Sequence, residues 1–268
     1  MSKYFFDPDG NFVLTPESFL WLRVGTEENI PNIGVWGGEI YNVKDGQRYL
    51  LSNFVGMCVA IRYRRDSQLM LLVKEALVWT DENHNPVSEV WDELQGCNIK
   101  VVHVKNEPAV RCPITQKSLD NFVLNQRDKS LELVMRFSLD YPNPISVKDY
   151  PKWSSYGNYK AVEEFQFNID SEMYSRPRPK VNFKWIRNSI PYPFMLTGPN
   201  HDYTQSMLSE GELGIRILKD INLKMVLAVQ TVFPTFDLQI PQSYKDDMRS
   251  CQSTWTNIAD MLQNQQLW

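Results

Sequence analysis

The residues of this sequence that could do chemistry are concentrated in one basic stretch. No acidic residue occurs between Met173 and His201, although the whole chain carries a net charge of −4. Five cations and two aromatic residues lie close together there: Arg176, Arg178, Lys180, Phe183, Lys184, Trp185 and Arg187. Such cations bind carboxylates and phosphates, and aromatic rings among them can stack on nucleic acid bases. The stretch 176–187 therefore predicts a binding surface for a negatively charged partner.

The local sequence indicates how these side chains would be arranged. Phe183 and Trp185 are two positions apart, so on a β-strand they would share one face and Lys184 would lie on the other. Three interpretations stay open: stacking of single-stranded RNA on the two rings, pairing of Arg176 and Arg178 with acids of another subunit, or a solvated basic face with both rings in the core. Because the rest of the chain is acidic, we expect a second subunit, with RNA or another polyanion as the alternative.

The other candidates for chemistry do not form a recognisable site. None of the three histidines lies within three positions of another histidine or a cysteine, so zinc-site spacing is absent. His103 in KVVHVK is predicted to be a hydrogen-bonded strand residue, and adjacent Glu163 and Glu164 are expected to be solvated on opposite faces of a strand. The glycines at 34–38 lack the spacing of a phosphate loop. We therefore assign no catalytic residue, metal ligand or cofactor, although a triad assembled from distant residues needs no fixed spacing.

The cysteines and the apolar segments indicate the compartment. Cys58, Cys97, Cys112 and Cys251 are widely spaced and form no C-x-x-C pair, as expected for reduced thiols. The sequence MSKYFFDPDG has an acidic turn where a signal peptide needs an apolar run, and no segment has eighteen uninterrupted apolar residues. We predict a cytoplasmic protein, in the host cell for a viral protein, without a membrane span.

The composition predicts a chain that folds throughout. Hydrophobic residues make up 43% and charged residues 22% of the 268 residues, close to globular averages. Residues 1–268 are predicted to form a single β-rich domain, and the proline-rich stretch 141–156 is where two halves would meet. The aromatic residues of this stretch indicate that it packs on a surface rather than forming a free linker.

Most of the predicted elements are strands. Two apolar runs, 54–63 and 69–79, flank a polar connection and predict a buried central hairpin. Two more hairpins are predicted at 4–15 and 39–51, around turn-forming residues. Further strands, each bounded by Gly, Pro, Asn or Asp, are predicted at 100–105, 131–139, 162–169, 212–218 and 222–233.

Only a few short helices are expected. The three predicted segments are 18–24, 118–126 and 254–266. Pro16 suits the first turn of the first helix, and Ser253 would cap the last one, in which Trp255, Ile258 and Leu262 form one stripe. Because these helices do not alternate with the strands as in a βαβ fold, the predicted fold class is mainly β, an antiparallel sandwich or jelly-roll-like barrel.

A β-rich, charge-segregated chain without a catalytic constellation is typical of an interaction protein rather than an enzyme. We predict a structural or assembly protein of the viral capsid or matrix type, which acts through self-association as a homo-oligomer. The alternative function is a single-stranded nucleic-acid-binding accessory protein that uses the stretch 176–187.

Overall fold

The computed structural model describes residues 5–127, 129–154, 156–199, 202–215, 222–246 and 252–264. Its α-helices are α1 Pro16–Val24, α2 Leu223–Val232, α3 Ser243–Asp246 and α4 Thr254–Gln263. Its strands are β1 Asn32–Lys44, β2 Gln47–Arg65, β3 Gln68–Thr80, β4 Glu89–Asp92, β5 Cys97–Lys100, β6 Val104–Pro113, β7 Phe122–Arg127, β8 Ser130–Pro142, β9 Asn158–Asp170, β10 Val181–Ser189, β11 Thr204–Ile215 and β12 Gln252–Ser253. No helix within these ranges is long and apolar enough to cross a membrane.

Ten of the strands form one curled antiparallel sheet in the order β12-β6-β3-β2-β1-β11-β10-β9-β8-β7, and β4 pairs with β5 separately. The curl brings distant strands to one core: Trp255 on α4 follows β12 at one edge, yet its ring centroid is 5.7 Å from that of Tyr159 on β9. Two facing layers therefore arise from a single sheet. The prediction of a mainly antiparallel β fold with a few short helices, one of them C-terminal, is confirmed.

The predicted central hairpin is formed by β2 and β3. These strands pair along their length, and Asp66 and Ser67 connect them with positive φ angles of 48° and 66°. Val59 and Leu72 are fully buried, as the two apolar runs predicted. The hairpin at 39–51 is present as β1 and β2, whereas the N-terminal hairpin is reduced to an isolated bridge between Phe6 and Phe12.

The prediction of a strand at 222–233 is wrong, because this segment forms α2. The Asn222 side chain accepts a hydrogen bond from the Lys224 backbone N–H and caps the helix. Val226 and Val229 are spaced by three positions and are buried against the sheet. An apolar run of this length fits a strand or a buried helix equally well, and only the packing decides between them.

Two further predictions are wrong in part. Instead of a helix at 118–126, a short 3-10 helix, Gln116–Leu119, is followed by β7. The segment 100–105 is not one strand, because β5 ends at Lys100 and β6 begins at Val104. His103 lies between them, and its Nδ1 accepts the Trp79 backbone N–H at 3.1 Å, so it is hydrogen-bonded as predicted but is not a strand residue.

The remaining predicted elements agree with the structure where they can be compared. Strands 131–139 and 162–169 lie within β8 and β9, and the first and last predicted helices correspond to α1 and α4. Residues 216–218 and 265–266 of the predicted elements lie outside the described residues. The stretch 141–156 connects β8 to its partner β9, and buried Ile145 packs it on the core, so one sheet continues across it.

The curled sheet has a separate apolar cluster on each face. The concave face holds the larger one, to which α1 and α4 contribute buried side chains. The convex face of β1, β2 and β3 is covered by α2 and by Phe236. The three central strands are thus buried on both sides.

Candidate functional site

The basic stretch is divided between the two faces of β10. Phe183 and Trp185 are buried in the concave core, and Lys184 lies on the opposite face, as the spacing predicted. The Lys184 ammonium pairs with the Glu210 carboxylate of the neighbouring strand at 2.6 Å. The two rings are therefore not available for stacking at the surface.

The other cations of the stretch also have neighbours within the chain. The buried guanidinium of Arg178 contacts the Glu27 carboxylate at 3.2 Å and the Pro31 carbonyl oxygen at 3.1 Å. Lys180 pairs with Glu212 at 2.6 Å. Arg176 is exposed. The seven predicted site residues therefore do not form one surface, and the predicted partner contact is left to Arg176, Lys180 and Lys184.

Arg187 belongs to the concave face and forms a buried ion pair there. It lies directly opposite Glu163 on β9, and their side chains are hydrogen-bonded. The guanidinium also lies 4.8 Å from the ring centroids of both Trp185 and Tyr192. Burial lowers the pKa of Arg187, but Tyr159, Tyr192 and Glu163 together raise it above its ordinary value, so the group stays cationic. Glu163 is thus a buried partner and not the solvated acid that we expected.

Aromatic rings line the concave face around this pair. Trp185 stacks on Phe165 with ring centroids 6.2 Å apart and an angle of 11° between the planes. Phe183 contacts both Phe165 and Trp36, at centroid distances of 5.9 Å each. The same wall continues through Phe54, Trp79, Tyr159, Phe167 and Tyr192. The concave face is therefore mainly aromatic.

The Trp36 indole lies flat on the sheet because its cross-strand partner is Gly56. A Cβ atom at Gly56 would lie 2.1 Å from Cε2 of the indole, so the ring needs a glycine there. The indole Nε1–H groups of Trp36 and Trp185 are buried and have no acceptor among the described residues. Leaving a buried donor unpaired costs roughly 1–3 kcal/mol, which a bound acceptor would offset.

A carboxyl group faces the same interior from β3. Glu75 lies directly opposite Cys58 and accepts a hydrogen bond from Asn106 Nδ2 at 3.0 Å. Burial raises the pKa of Glu75 and Glu163 raises it further, whereas Asn106, Arg187 and Arg23 act in the opposite direction. The carboxyl of β3 and the ion pair of β9 and β10 are therefore close enough to influence each other.

Arg23 completes what we call the concave site, which consists of Arg23, Trp36, Glu75, Glu163, Trp185 and Arg187. Arg23 is in the last turn of α1, and its guanidinium lies 5.6 Å from the ring centroid of Phe167. An apolar, aromatic surface with a few convergent polar groups is the usual form of a small-molecule site. No group of three or more His, Cys, Asp or Glu residues in the described part of the chain could hold a metal ion.

Sequence reasoning missed most of the concave site. Only Trp185 and Arg187 of its members belong to the predicted set, and there they were grouped with surface cations. A usable signal was present in LMLLVKEALVW, where Glu75 interrupts a buried apolar run at an inward-facing position. A charge in such a run needs a partner, but the hydrogen-bond partner Asn106 lies on β6, far along the chain from β3, and the local sequence does not identify it.

The extent of the family match agrees with the extent of the sheet. No curated protein matches the chain. A family model matches residues 30–257, a span that holds every member of the concave site except Arg23. The chain therefore belongs to the family described as "Protein of unknown function (DUF1838)".

Proposed function

We propose that this protein binds a small, flat, largely aromatic molecule on the concave face of its curled sheet. The observation that carries the proposal is the pair of buried indole Nε1–H groups, of Trp36 and Trp185, that lack an acceptor among the described residues. Buried donors are normally satisfied, and exceptions concentrate where a ligand or water supplies the acceptor.

The side chains around the two indoles support this function. Phe165 is only partly buried although it points to the concave side, so it retains surface that a ligand can cover. Aromatic walls contribute contact area, and the ionisable groups among them can orient a bound molecule. A core built for stability alone would contain fewer ionisable groups, because burying charge is costly.

The same geometry gives less support to the assembly and nucleic-acid hypotheses. Phe183 and Trp185 lie on the face of β10 opposite Lys184, so they are not placed to stack on bases of an RNA strand that is held by the exposed cations, and Arg178 is engaged with Glu27. Self-association and RNA binding remain predictions that rest on Arg176, Lys180 and Lys184. A cytoplasmic location is likewise a proposal, which the free thiols of the described cysteines support.

The test uses the neutral aromatic dye N-phenyl-1-naphthylamine, whose emission increases in apolar sites. We expect saturable binding to the whole chain and a higher melting temperature in the presence of the dye. Phe165→Ala removes a ring of the wall and should weaken dye binding about fivefold, since an aromatic pair contributes about 1 kcal/mol. Trp91→Ala removes an exposed ring outside the site and should leave binding unchanged. Absence of saturable binding, or an equal loss in both variants, would contradict the proposal.

A further inference from the structure

The guanidinium of Arg23, unlike that of Arg187, forms no direct ion pair with a carboxylate of the described residues. The Asn32 side chain donates to the Arg23 carbonyl oxygen at 2.9 Å and fixes the end of α1. The side chain then extends over Phe167 and towards the Cys58 thiol. Its Nη1 is buried and has no acceptor among the described residues.

None of the ion pairs among the described residues includes Arg23. Arg187, the other guanidinium of the concave site, pairs with Glu163, but no described carboxylate forms an ion pair with Arg23. Cys58 cannot supply the negative charge, because burial raises the pKa of its thiol. The Glu75 carboxyl accepts its hydrogen bond from Asn106 at 3.0 Å and acts on Arg23 only at longer range. Arg23 therefore has no directly bonded counter-ion among the described residues.

A second donor lies next to this charge. Trp36 covers Gly56, which is two residues before Cys58 on the same face of β2. The unpaired indole Nε1–H and the guanidinium beside Cys58 are thus at neighbouring positions of the concave face. Two unpaired donors, one of them on a cation, suit an acceptor group with two oxygens.

We infer that the ligand is an anion, a flat aromatic carboxylate whose head group is bound by Arg23 with the Trp36 indole N–H, while its ring system lies against the aromatic wall. This inference rests on the proposed function and specifies the class of ligand. A guanidinium binds a carboxylate through paired hydrogen bonds, and burial strengthens that interaction relative to water. An uncharged molecule of the same shape would leave the Arg23 guanidinium without a directly bonded counter-ion.

The experiment compares two probes of the same size on the intact chain, by calorimetry and by tryptophan fluorescence. The probes are 2-naphthoate, which is an anion, and 2-naphthalenemethanol, which is neutral. We expect wild-type protein to bind 2-naphthoate at least about tenfold more tightly than the alcohol, since charge-assisted hydrogen bonds are about twice as strong as neutral ones. Arg23→Met should abolish this preference while binding of the alcohol persists. Arg48→Met removes an exposed cation and should preserve the preference.

Each outcome decides between the two proposals. Equal affinity of wild-type protein for both probes would overturn the anion site and leave the aromatic site standing. If neither probe binds, both proposals are wrong. An equal loss of both probes in Arg23→Met would show a structural role for Arg23 and would overturn the inference. If Arg23→Met does not fold, the preference of the wild-type protein decides the matter alone.

Discussion

The two faces of the central strands are built from different side chains, although the residues alternate along the same backbone. The convex face under α2 is aliphatic, with Val55, Met57 and Val59 fully buried on β2. The concave face of the same strand presents Phe54, Gly56 and Cys58. The partners of the buried charged groups also differ between the two faces.

On the convex face the one buried ammonium that the structure describes, that of Lys74, has the Asp237 carboxylate at 2.7 Å. On the concave face a guanidinium, a carboxyl group and two indole N–H groups are buried with incomplete protein partners. Aliphatic close packing stabilises a fold, whereas unsatisfied polar groups lower stability and are retained where they serve a site. This difference agrees with our proposal that a ligand binds on the concave face, although the Tyr63 hydroxyl on the convex side is also buried without a partner among the described residues.

The largest expected effect is on the convex face. Val59→Asp places a charge without a partner in a fully buried aliphatic layer and should lower the free energy of unfolding by roughly 3–5 kcal/mol or more. Val123→Asp is the control, because Val123 is exposed on the edge strand β7 and its replacement should cost less than about 0.5 kcal/mol. Chemical denaturation measures both. Equal stability of the two variants would contradict the central position of β2.

The next effect concerns the ion pair of the concave face. Arg187→Met leaves the Glu163 carboxylate buried without its partner and should cost roughly 3–5 kcal/mol. The double variant Arg187→Met with Glu163→Gln removes both charges and should recover most of this loss. A double-mutant cycle with both single variants, measured by chemical denaturation, gives the coupling free energy between Arg187 and Glu163. Additive losses would show that the two residues do not stabilise each other.

A smaller effect is the pH dependence of stability that the Glu75 carboxyl on the concave face produces. Burial raises the pKa of Glu75 above that of the unfolded chain, so the stability it contributes is present at low pH and is lost as the pH rises through the folded-state pKa. Glu75→Gln, which is neutral at every pH, should therefore be more stable than wild type at neutral pH and similar to it in acid. The exposed Glu93→Gln is the control and should show no such trend. Melting temperatures of wild type and Glu75→Gln across the pH range measure this difference in stability. If the two melting temperatures differ by the same amount at every pH, the raised pKa of Glu75 is not the cause.

What could be predicted from the sequence follows from how local each feature is. The β2–β3 hairpin was predictable because its apolar runs and turn are adjacent in the chain. The helix α2 was not, because its exposed positions Leu223 and Leu227 are apolar like its buried ones, so the sequence shows no clear helical period. The concave site depends on the curl that brings Glu75 of β3 near Glu163 of β9, and no local pattern encodes such a distant contact.

The smallest expected effect is on the exposed part of the basic stretch, outside both faces. Arg176→Glu should change stability by less than about 0.5 kcal/mol, because the side chain is exposed, whereas Arg178→Glu would place a buried acid beside Glu27 and should unfold or destabilise the protein. Arg176→Glu is thus the variant with which assembly and RNA binding can be tested without damage to the fold. Sedimentation and RNA binding at two salt concentrations are the measurements. Loss of assembly would support contact with a second subunit, and loss of salt-sensitive RNA binding would support the nucleic-acid alternative. If neither property changes, Arg176 is ordinary solvated surface, and the two predictions are left to Lys180 and Lys184.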